Sequence, residues 1–127
     1  MKKEIIVPDN VHKTPGYAHA VKIGNTVYVC GQAALDVNSN IVGIGDFAAQ
    51  ATQTFENMKN VLEAAGGSLK DVVKITAYFT NMDDLSTWVD VRQKYLVGHT
   101  VAGTVVEISK LGMPELLLEV EAIAVID

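Results

Sequence analysis

The sequence of 127 residues predicts an α+β fold in a single domain, residues 1–127. Two β-type segments come first and are joined by a tight turn, which argues against a uniformly parallel α/β sheet. Two segments with helical periodicity follow, and each is succeeded by a segment with the composition of a strand. The predicted order is β-β-α-β-α-β-β, with about five or six strands.

The first two strands form a predicted hairpin. Residues 19–23 and 26–30 have β-type composition, and the Gly24-Asn25 pair between them tolerates the positive φ of a tight turn. Residues 31–45 are rich in Gly, Asn, Ser and Asp, which predicts a loop with a short edge strand near residues 40–42.

A helix is predicted after Asp46, whose side chain can cap its first turn. Apolar residues recur there in steps of three and four until Gly66-Gly67 ends the pattern. These apolar positions are Phe47, Ala51, Phe55, Met58, Leu62 and Ala65.

Residues 72–80 alternate between apolar and polar side chains, which predicts a strand with one buried face. The face that a helix should cover consists of Val73, Ile75, Ala77 and Phe79. A second helix is predicted from Leu85 to Leu96, before Gly98, and residues 104–108 and 116–125 are predicted to be the last strands.

The last strand has two different faces. One is wholly apolar and consists of Leu118, Val120, Ala122 and Ala124, whereas the other mixes charge with large apolar groups and consists of Leu117, Glu119, Glu121, Ile123 and Val125. With only two helices available, another subunit is the expected cover for the second face. The alternative is a one-sided sheet with a few exposed aliphatic side chains.

Glu119 and Glu121 are two residues apart on the second face, where two like charges cannot both be buried without partners. One of them is therefore a candidate general acid or base. The alternative is that both are ordinary surface or interface charges, paired with Lys74 or Lys110.

Composition excludes several classes of function. The net charge is −5 and the basic residues are scattered, so no nucleic-acid partner is expected. No apolar run approaches the ~18 residues of a membrane span, and the N-terminus lacks an export signal, so the expected location is the cytoplasm. The only cysteine, Cys30, suits a reducing compartment and is interpreted as a buried hydrophobe in preference to a nucleophile or metal ligand.

Four motifs together resemble the Rid (reactive intermediate deaminase, or YjgF) family, also labelled endoribonuclease L-PSP. They are Pro15-Gly16-Tyr17, Cys30-Gly31-Gln32, the helix text of residues 50–66 and the ending of residues 118–125. The resemblance implies a chorismate-mutase-like fold, in which a mixed sheet carries two helices on one face. It also implies a homotrimer around a threefold axis, with clefts for a small-molecule ligand between the subunits.

The resemblance further implies hydrolysis of reactive enamines and imines without a metal or other cofactor. Glu119 matches the family's water-orienting or proton-transferring glutamate, and Tyr17 matches its cleft tyrosine. The implied ligand cleft also includes Gly31, Gly103, Thr104 and Val105. His19 and His99 could lend a titratable or donor group to the cleft, with a plain structural or exposed role as the alternative.

The sequence departs from the family pattern at Gly103. The family holds the substrate carboxylate with an arginine at this place, where the text here is Val101-Ala102-Gly103-Thr104. Glycine offers no bidentate charged clamp, and the only arginine, Arg92, is assigned to the second helix with a packing or surface role. The substrate is therefore expected to differ from an ordinary 2-imino acid.

Two functions remain open at this point. The first is a Rid-like hydrolase in which Glu119 positions water and Tyr17 orients the ligand. The second is a trimer that binds a small metabolite without catalysis, which the loss of the arginine favours. A ribonuclease is disfavoured by the acidic charge balance.

Overall fold

Six strands form one mixed sheet in the structure, a computed structural model that describes residues 1–127. The elements are β1 (Lys3–Ile6), β2 (Ala20–Ile23), β3 (Thr26–Gln32), α1 (Phe47–Ala64), β4 (Val72–Phe79), α2 (Leu85–Tyr95), β5 (Ala102–Glu107) and β6 (Leu118–Val125). The order across the sheet is β1-β2-β3-β6-β4-β5, and β4–β5 is the only parallel pair. The predicted α+β fold is confirmed.

The structure adds one strand that the sequence analysis did not predict. β1 pairs antiparallel with β2 at the edge of the sheet. Three of its four residues are exposed, so it lacks the burial that produces a clear apolar alternation. The predicted hairpin between β2 and β3 is confirmed, with Gly24 at a φ of 59° in the turn. The edge strand predicted near residues 40–42 is reduced to a single bridge between Leu35 and Ile41.

Helix α1 begins and ends as the sequence predicts. The Asp46 carboxylate accepts a hydrogen bond from the backbone nitrogen of Ala49 at 3.1 Å, which satisfies a free donor of the first turn. The chain leaves the helix at Gly66, whose φ of +89° is strained for any residue with a side chain. All six predicted apolar positions of this helix are buried.

The two helices share one hydrophobic core with the apolar face of the sheet. The Trp88 ring of α2 stacks on Phe55 of α1 at 5.3 Å between centroids and meets the ring of Phe79 on β4 edge-on at 5.6 Å. The predicted apolar face of β6 is buried along its whole length. Neither helix is long and apolar enough to cross a membrane.

One residue of β4 lies on the opposite face from the predicted one. Val73 is 45% exposed, while its neighbour Val72 is buried. The pairing of β4 with β6 is irregular between Val72 and Lys74, which shifts the alternation by one residue at the start of the strand. From Ile75 onward the predicted alternation is correct.

The second face of the sheet carries apolar side chains that the single chain leaves open. Tyr28, Val106 and Val125 on three different strands are 49%, 37% and 40% exposed. Leu117, which the alternation assigns to this face, precedes β6 and packs partly against the core instead. The remaining apolar surface is available to a further subunit.

Two buried amide side chains of α1 fix the loops around the sheet. Asn57 donates hydrogen bonds of 2.9 Å to the carbonyl oxygens of both Ala33 and Leu35. Gln50 donates to the carbonyl of Glu115 and accepts from the backbone nitrogen of Leu117, both at 2.9 Å. The helix therefore positions the segments that follow β3 and precede β6.

We expect Asn57→Ala to lower the free energy of unfolding by roughly 1–3 kcal/mol, because it leaves the buried carbonyl oxygen of Leu35 without a donor and leaves that of Ala33 with only the backbone nitrogen of Leu35. Asn60→Ala is the matched control, since the Asn60 amide makes only an exposed contact of 3.5 Å to the carbonyl of Asn10. Urea unfolding at one fixed protein concentration measures both variants. Equal losses of stability in the two variants would contradict the assignment of a structural role to Asn57.

Candidate functional site

A β-bulge in β3 brings Gly31 against Glu119. Val29 pairs with Ala122 and Gln32 with Val120, so β3 has one residue more than β6 over this stretch. A Cβ atom added to Gly31 would lie 2.7 Å from Cδ and 3.0 Å from Cγ of Glu119. Glycine at position 31 therefore leaves the space that the Glu119 carboxyl group occupies.

The two carboxylates of β6 have different environments. Burial first, and then the negative charge of Glu121, raise the pKa of Glu119 above its usual value. The Glu121 carboxylate accepts a hydrogen bond of 2.7 Å from the Tyr78 hydroxyl on β4. A tyrosine thus holds Glu121, in place of the lysine partners considered from the sequence. Glu119 therefore keeps a proton more readily than an ordinary glutamate does.

Tyr17 and Cys30 complete a group around Glu119 that we call the Glu119 cluster: Tyr17, Cys30, Gly31 and Glu119. Tyr17 is 55% exposed, and partial burial, followed by the charges of Cys30 and Glu119, raises the pKa of its hydroxyl. Burial and then the Glu119 charge raise the pKa of Cys30 to about 11. The thiol is therefore protonated at neutral pH, but Cys30 is only half-buried and is not the buried hydrophobe predicted from the sequence.

His19 lies in a buried hydrogen-bond network behind the bulge. Its Nε2 is 2.7 Å from the carbonyl oxygen of His12, and its Nδ1 is 3.0 Å from Nε2 of Gln32. The same Gln32 nitrogen lies 3.4 Å from the carbonyl oxygen of Cys30, so it must be a donor. His19 therefore accepts at Nδ1 and donates from Nε2, and this geometry gives it a structural role in positioning the bulge.

Four other residues predicted for the cleft lie together in a cavity of about 430 Å³ between α2 and β5. We call it the α2–β5 cavity, and it is lined by Ile75, Trp88, Arg92, Gln93, Leu96, His99, Thr100, Val101, Gly103, Thr104 and Val105. Its volume falls in the range of small-molecule sites, ~300–1,000 Å³. The sequence predicted Gly103, Thr104, Val105 and His99 as cleft residues but did not predict the arginine of the cavity.

The missed residue, Arg92, had a signal in the sequence. The helical pattern places it on the same stripe as Trp88 and Leu96, one turn away on either side. A long charged side chain on an apolar stripe often packs its methylene groups against the core and places its charged end group in a cavity or in solvent. The packing or surface role assigned to Arg92 overlooked that it also lines the space beside Gly103.

Gly103 is not required by the backbone. It pairs with Ile75 of β4, and an added Cβ atom would lie 3.6 Å from Cγ2 and 4.0 Å from the carbonyl oxygen of Ile75, both ordinary contact distances. Its φ lies outside the left-handed region. A larger side chain would therefore fit at this position, and glycine keeps the wall of the cavity open.

The Glu119 cluster and the α2–β5 cavity lie on opposite faces of the sheet. Glu119 is on the second face, next to Tyr78 of β4, whereas Gly103 and Val105 pair with residues that face the helices. One chain therefore does not bring the two groups of residues together. No cluster of three or more potential ligands is placed to hold a metal ion.

Comparison with known proteins gives consistent matches. The family model described as endoribonuclease L-PSP matches residues 9–126. A RutC family protein of Pyrococcus horikoshii is 39% identical over 96% of this chain and 97% of its own. The 3-aminoacrylate deaminase RutC of Acinetobacter baylyi is 35% identical over 98% of both chains.

Two further matches concern a named activity and the fold. A 2-iminobutanoate/2-iminopropanoate deaminase of Dermatophagoides farinae is 35% identical over 87% of this chain and 86% of its own. The crystal structure of a putative endoribonuclease from Thermotoga maritima is 36% identical and superposes with a TM-score of 0.93, over 100% of this chain and 99% of the other.

We expect Gly31→Ala to displace the Glu119 carboxyl group toward solvent, because the added methyl group would overlap it. The raised pKa of Glu119 should then fall toward its usual value, which an NMR titration of the side-chain carboxyl carbon measures. The melting temperature should change little, since a flexible side chain and not the backbone yields. Gly112→Ala, where no atom lies within 4 Å, is the control, and an unchanged Glu119 pKa in Gly31→Ala would refute the contact.

Proposed function

The chain belongs to the endoribonuclease L-PSP (Rid) family, and from this membership we propose that it is a hydrolase of small, reactive imine- or enamine-type metabolites. The observation that supports the proposal is the Glu119 carboxyl group, which is half-buried against Gly31 with a raised pKa. A carboxyl group with a raised pKa is a better proton acceptor than an ordinary glutamate and can return the proton that it accepts.

Hydrolysis of a C=N bond needs a group that first accepts a proton and then donates one. Water adds to the carbon of the C=N bond, the nitrogen takes up a proton, and ammonia leaves as the C=O bond forms. Ionised Glu119 would accept the proton of the attacking water, and the same group, now protonated, would pass a proton to the departing nitrogen. Tyr17, whose hydroxyl is neutral and half-exposed beside Glu119, would orient the substrate by a hydrogen bond.

The position of the two groups of residues supports a cleft between subunits. The Glu119 cluster and the α2–β5 cavity lie on opposite faces of the sheet, so a complete site needs the Glu119 face of one subunit next to the cavity of another. The exposed apolar residues of the second face supply the surface for such contact. We propose a homotrimer, as the family resemblance implies.

We propose further that the substrate differs from an ordinary 2-imino acid. Gly103 has no side chain to hold a carboxylate from β5, although the backbone would accommodate one. The same observation supports the second candidate function, a trimer that binds a small metabolite without catalysis. The two are separated by whether Glu119 changes turnover or only binding.

We expect the chain in solution to have the mass of a trimer, because the second face exposes apolar side chains that another subunit can cover and the family resemblance implies three subunits. Light scattering at micromolar concentration should give about three chain masses of 13.6 kDa each. A chain that stays monomeric at micromolar concentration would contradict the proposed cleft between subunits.

We expect Glu119→Gln to lower the rate of imine hydrolysis by at least about 100-fold while the trimer persists, because it keeps the shape and removes proton transfer. The measurement is semicarbazide trapping of imines that carry no carboxylate on the C=N carbon, which an amine oxidase generates in situ. If Glu119 only pairs charges across an interface, the variant would instead loosen the trimer and leave the rate unchanged. An unchanged rate in an intact trimer would remove Glu119 from the mechanism, whereas the absence of hydrolysis by the unsubstituted chain would favour the binding function.

The same variant reports the pKa of Glu119 through stability. A raised pKa means that the folded chain holds this proton more tightly than the unfolded chain. The stabilisation is present below the unfolded pKa of about 4.3 and is lost as the pH rises through the folded value. The melting temperature of Glu119→Gln should therefore rise relative to the unsubstituted chain over this pH interval.

We expect Gly103→Arg to fold normally and to increase hydrolysis of 2-iminobutanoate, since it restores a bidentate partner for the carboxylate. A contact of roughly 2–4 kcal/mol corresponds to about 30- to 1,000-fold. Semicarbazide trapping with a threonine dehydratase as the imine source measures the rate. Gly103→Gln is the uncharged control, and an equal gain there would show that charge is not the missing feature.

A further inference from the structure

Arg92 gives the α2–β5 cavity a positive charge. It is the only charged residue among those that line the cavity, and it is the only arginine of a chain whose net charge is −5. No acidic residue lines the cavity, and its other polar residues include Gln93 and Thr100. An electrostatic environment of this sign favours an anion.

The helix offers Arg92 no carboxylate partner of its own. Side chains three and four positions apart are neighbours on a helix surface, and for Arg92 these are Trp88, Val89, Tyr95 and Leu96. All four are aromatic or aliphatic. Because its helix neighbours are apolar and no acidic residue lines the cavity, the Arg92 guanidinium has N–H donors free to bind a ligand.

His99 is a second polar residue of the wall whose hydrogen-bonding capacity is unused. Both of its ring nitrogens are buried, and neither has a hydrogen-bond partner. A buried polar group without a partner is unfavourable. Rotation of the His99 ring toward a ligand would therefore break no existing hydrogen bond and would gain one.

From the charge, the volume and the unpartnered imidazole we propose that the α2–β5 cavity binds the carboxylate group of a small organic acid, with Arg92 as its anchor. The carboxylate is held from helix α2 and not from strand β5, where Gly103 has no side chain. The favoured acids are therefore those in which the carboxylate is not bonded directly to the reacting carbon. This inference rests on the proposed function in one respect: the bound acid is taken to be the substrate on which Glu119 acts.

Arg92 also has a structural role in helix α2, which the test separates from anion binding. It lies in the last turn of α2 together with Lys94, and positive side chains there stabilise the helix through its dipole. Lys94 is exposed and does not line the cavity. Lys94→Gln therefore removes the same charge from the same turn of the helix and is the matched control for Arg92→Gln.

Two unique probes make the measurement direct. Arg92 is the only arginine, so its side-chain Nε–Hε signal in an NMR spectrum needs no assignment. Trp88 in the cavity wall is the only tryptophan, so the indole fluorescence of the chain comes from this residue alone. The full chain is titrated at pH 7 with pentanoate and, separately, with the neutral pentanamide. We expect saturable shifts of both signals with pentanoate and at least tenfold weaker binding of pentanamide.

Arg92→Gln should weaken pentanoate binding at least tenfold, Arg92→Lys should retain part of it, and Lys94→Gln should bind like the unsubstituted chain. Equal affinity for acid and amide, undiminished binding by Arg92→Gln, or the absence of any saturable shift would each overturn the proposal. If Arg92→Gln does not fold, Arg92→Lys and the comparison of acid with amide still decide it.

Glu119→Gln separates this inference from the proposed function. Carboxylate binding that persists in Glu119→Gln while imine hydrolysis is lost supports both. Carboxylate binding to a chain that hydrolyses no imine supports the anion site and overturns the hydrolase. Imine hydrolysis without carboxylate binding at Arg92 overturns the anion site and leaves the hydrolase.

Discussion

The pairing of β6 on both of its edges is the constraint on which the site depends. Because β3 and β4 fix its register from either side, one face of β6 must enter the core and the other must carry Glu119 and Glu121. A shift of β6 by one residue in its pairing would bury both carboxylates among apolar side chains. The free-energy cost of burying these charges would not be offset, because that face of the strand offers no basic side chain. The same register sets Glu119 beside the bulge at Gly31 and beside Tyr78.

This constraint divides the chemistry of the chain between two faces. The helix side of the sheet holds a continuous core that opens only at the edge, where α2 and β5 enclose a cavity with a positive charge. The opposite side holds the carboxyl groups and stays open. The division explains why neither group of residues forms an enclosed site by itself, and it is the basis of the proposed cleft between subunits.

The sequence predicted those elements whose pattern depends on local periodicity. The stripe of α1 and the two faces of β6 follow from spacing alone, and both are buried as expected. The exposed edge strand β1 and the position of Val73 could not be read in this way, because one lacks a buried face and the other depends on a bulge against a distant strand. Such features arise from pairing between segments far apart in sequence.

The candidate site shows the same limit. The sequence indicated Glu119 and Gly31 separately. Only the bulge shows that the Glu119 carboxyl group occupies space that a side chain at position 31 would fill. His19 was expected near a ligand, yet Gln32, thirteen residues away, fixes it in a buried structural network. Tyr78, on a third strand, holds Glu121, and the charge of Glu121 helps to raise the pKa of Glu119. The proton affinity of the candidate catalytic group is thus a property of three paired strands and not of any one motif.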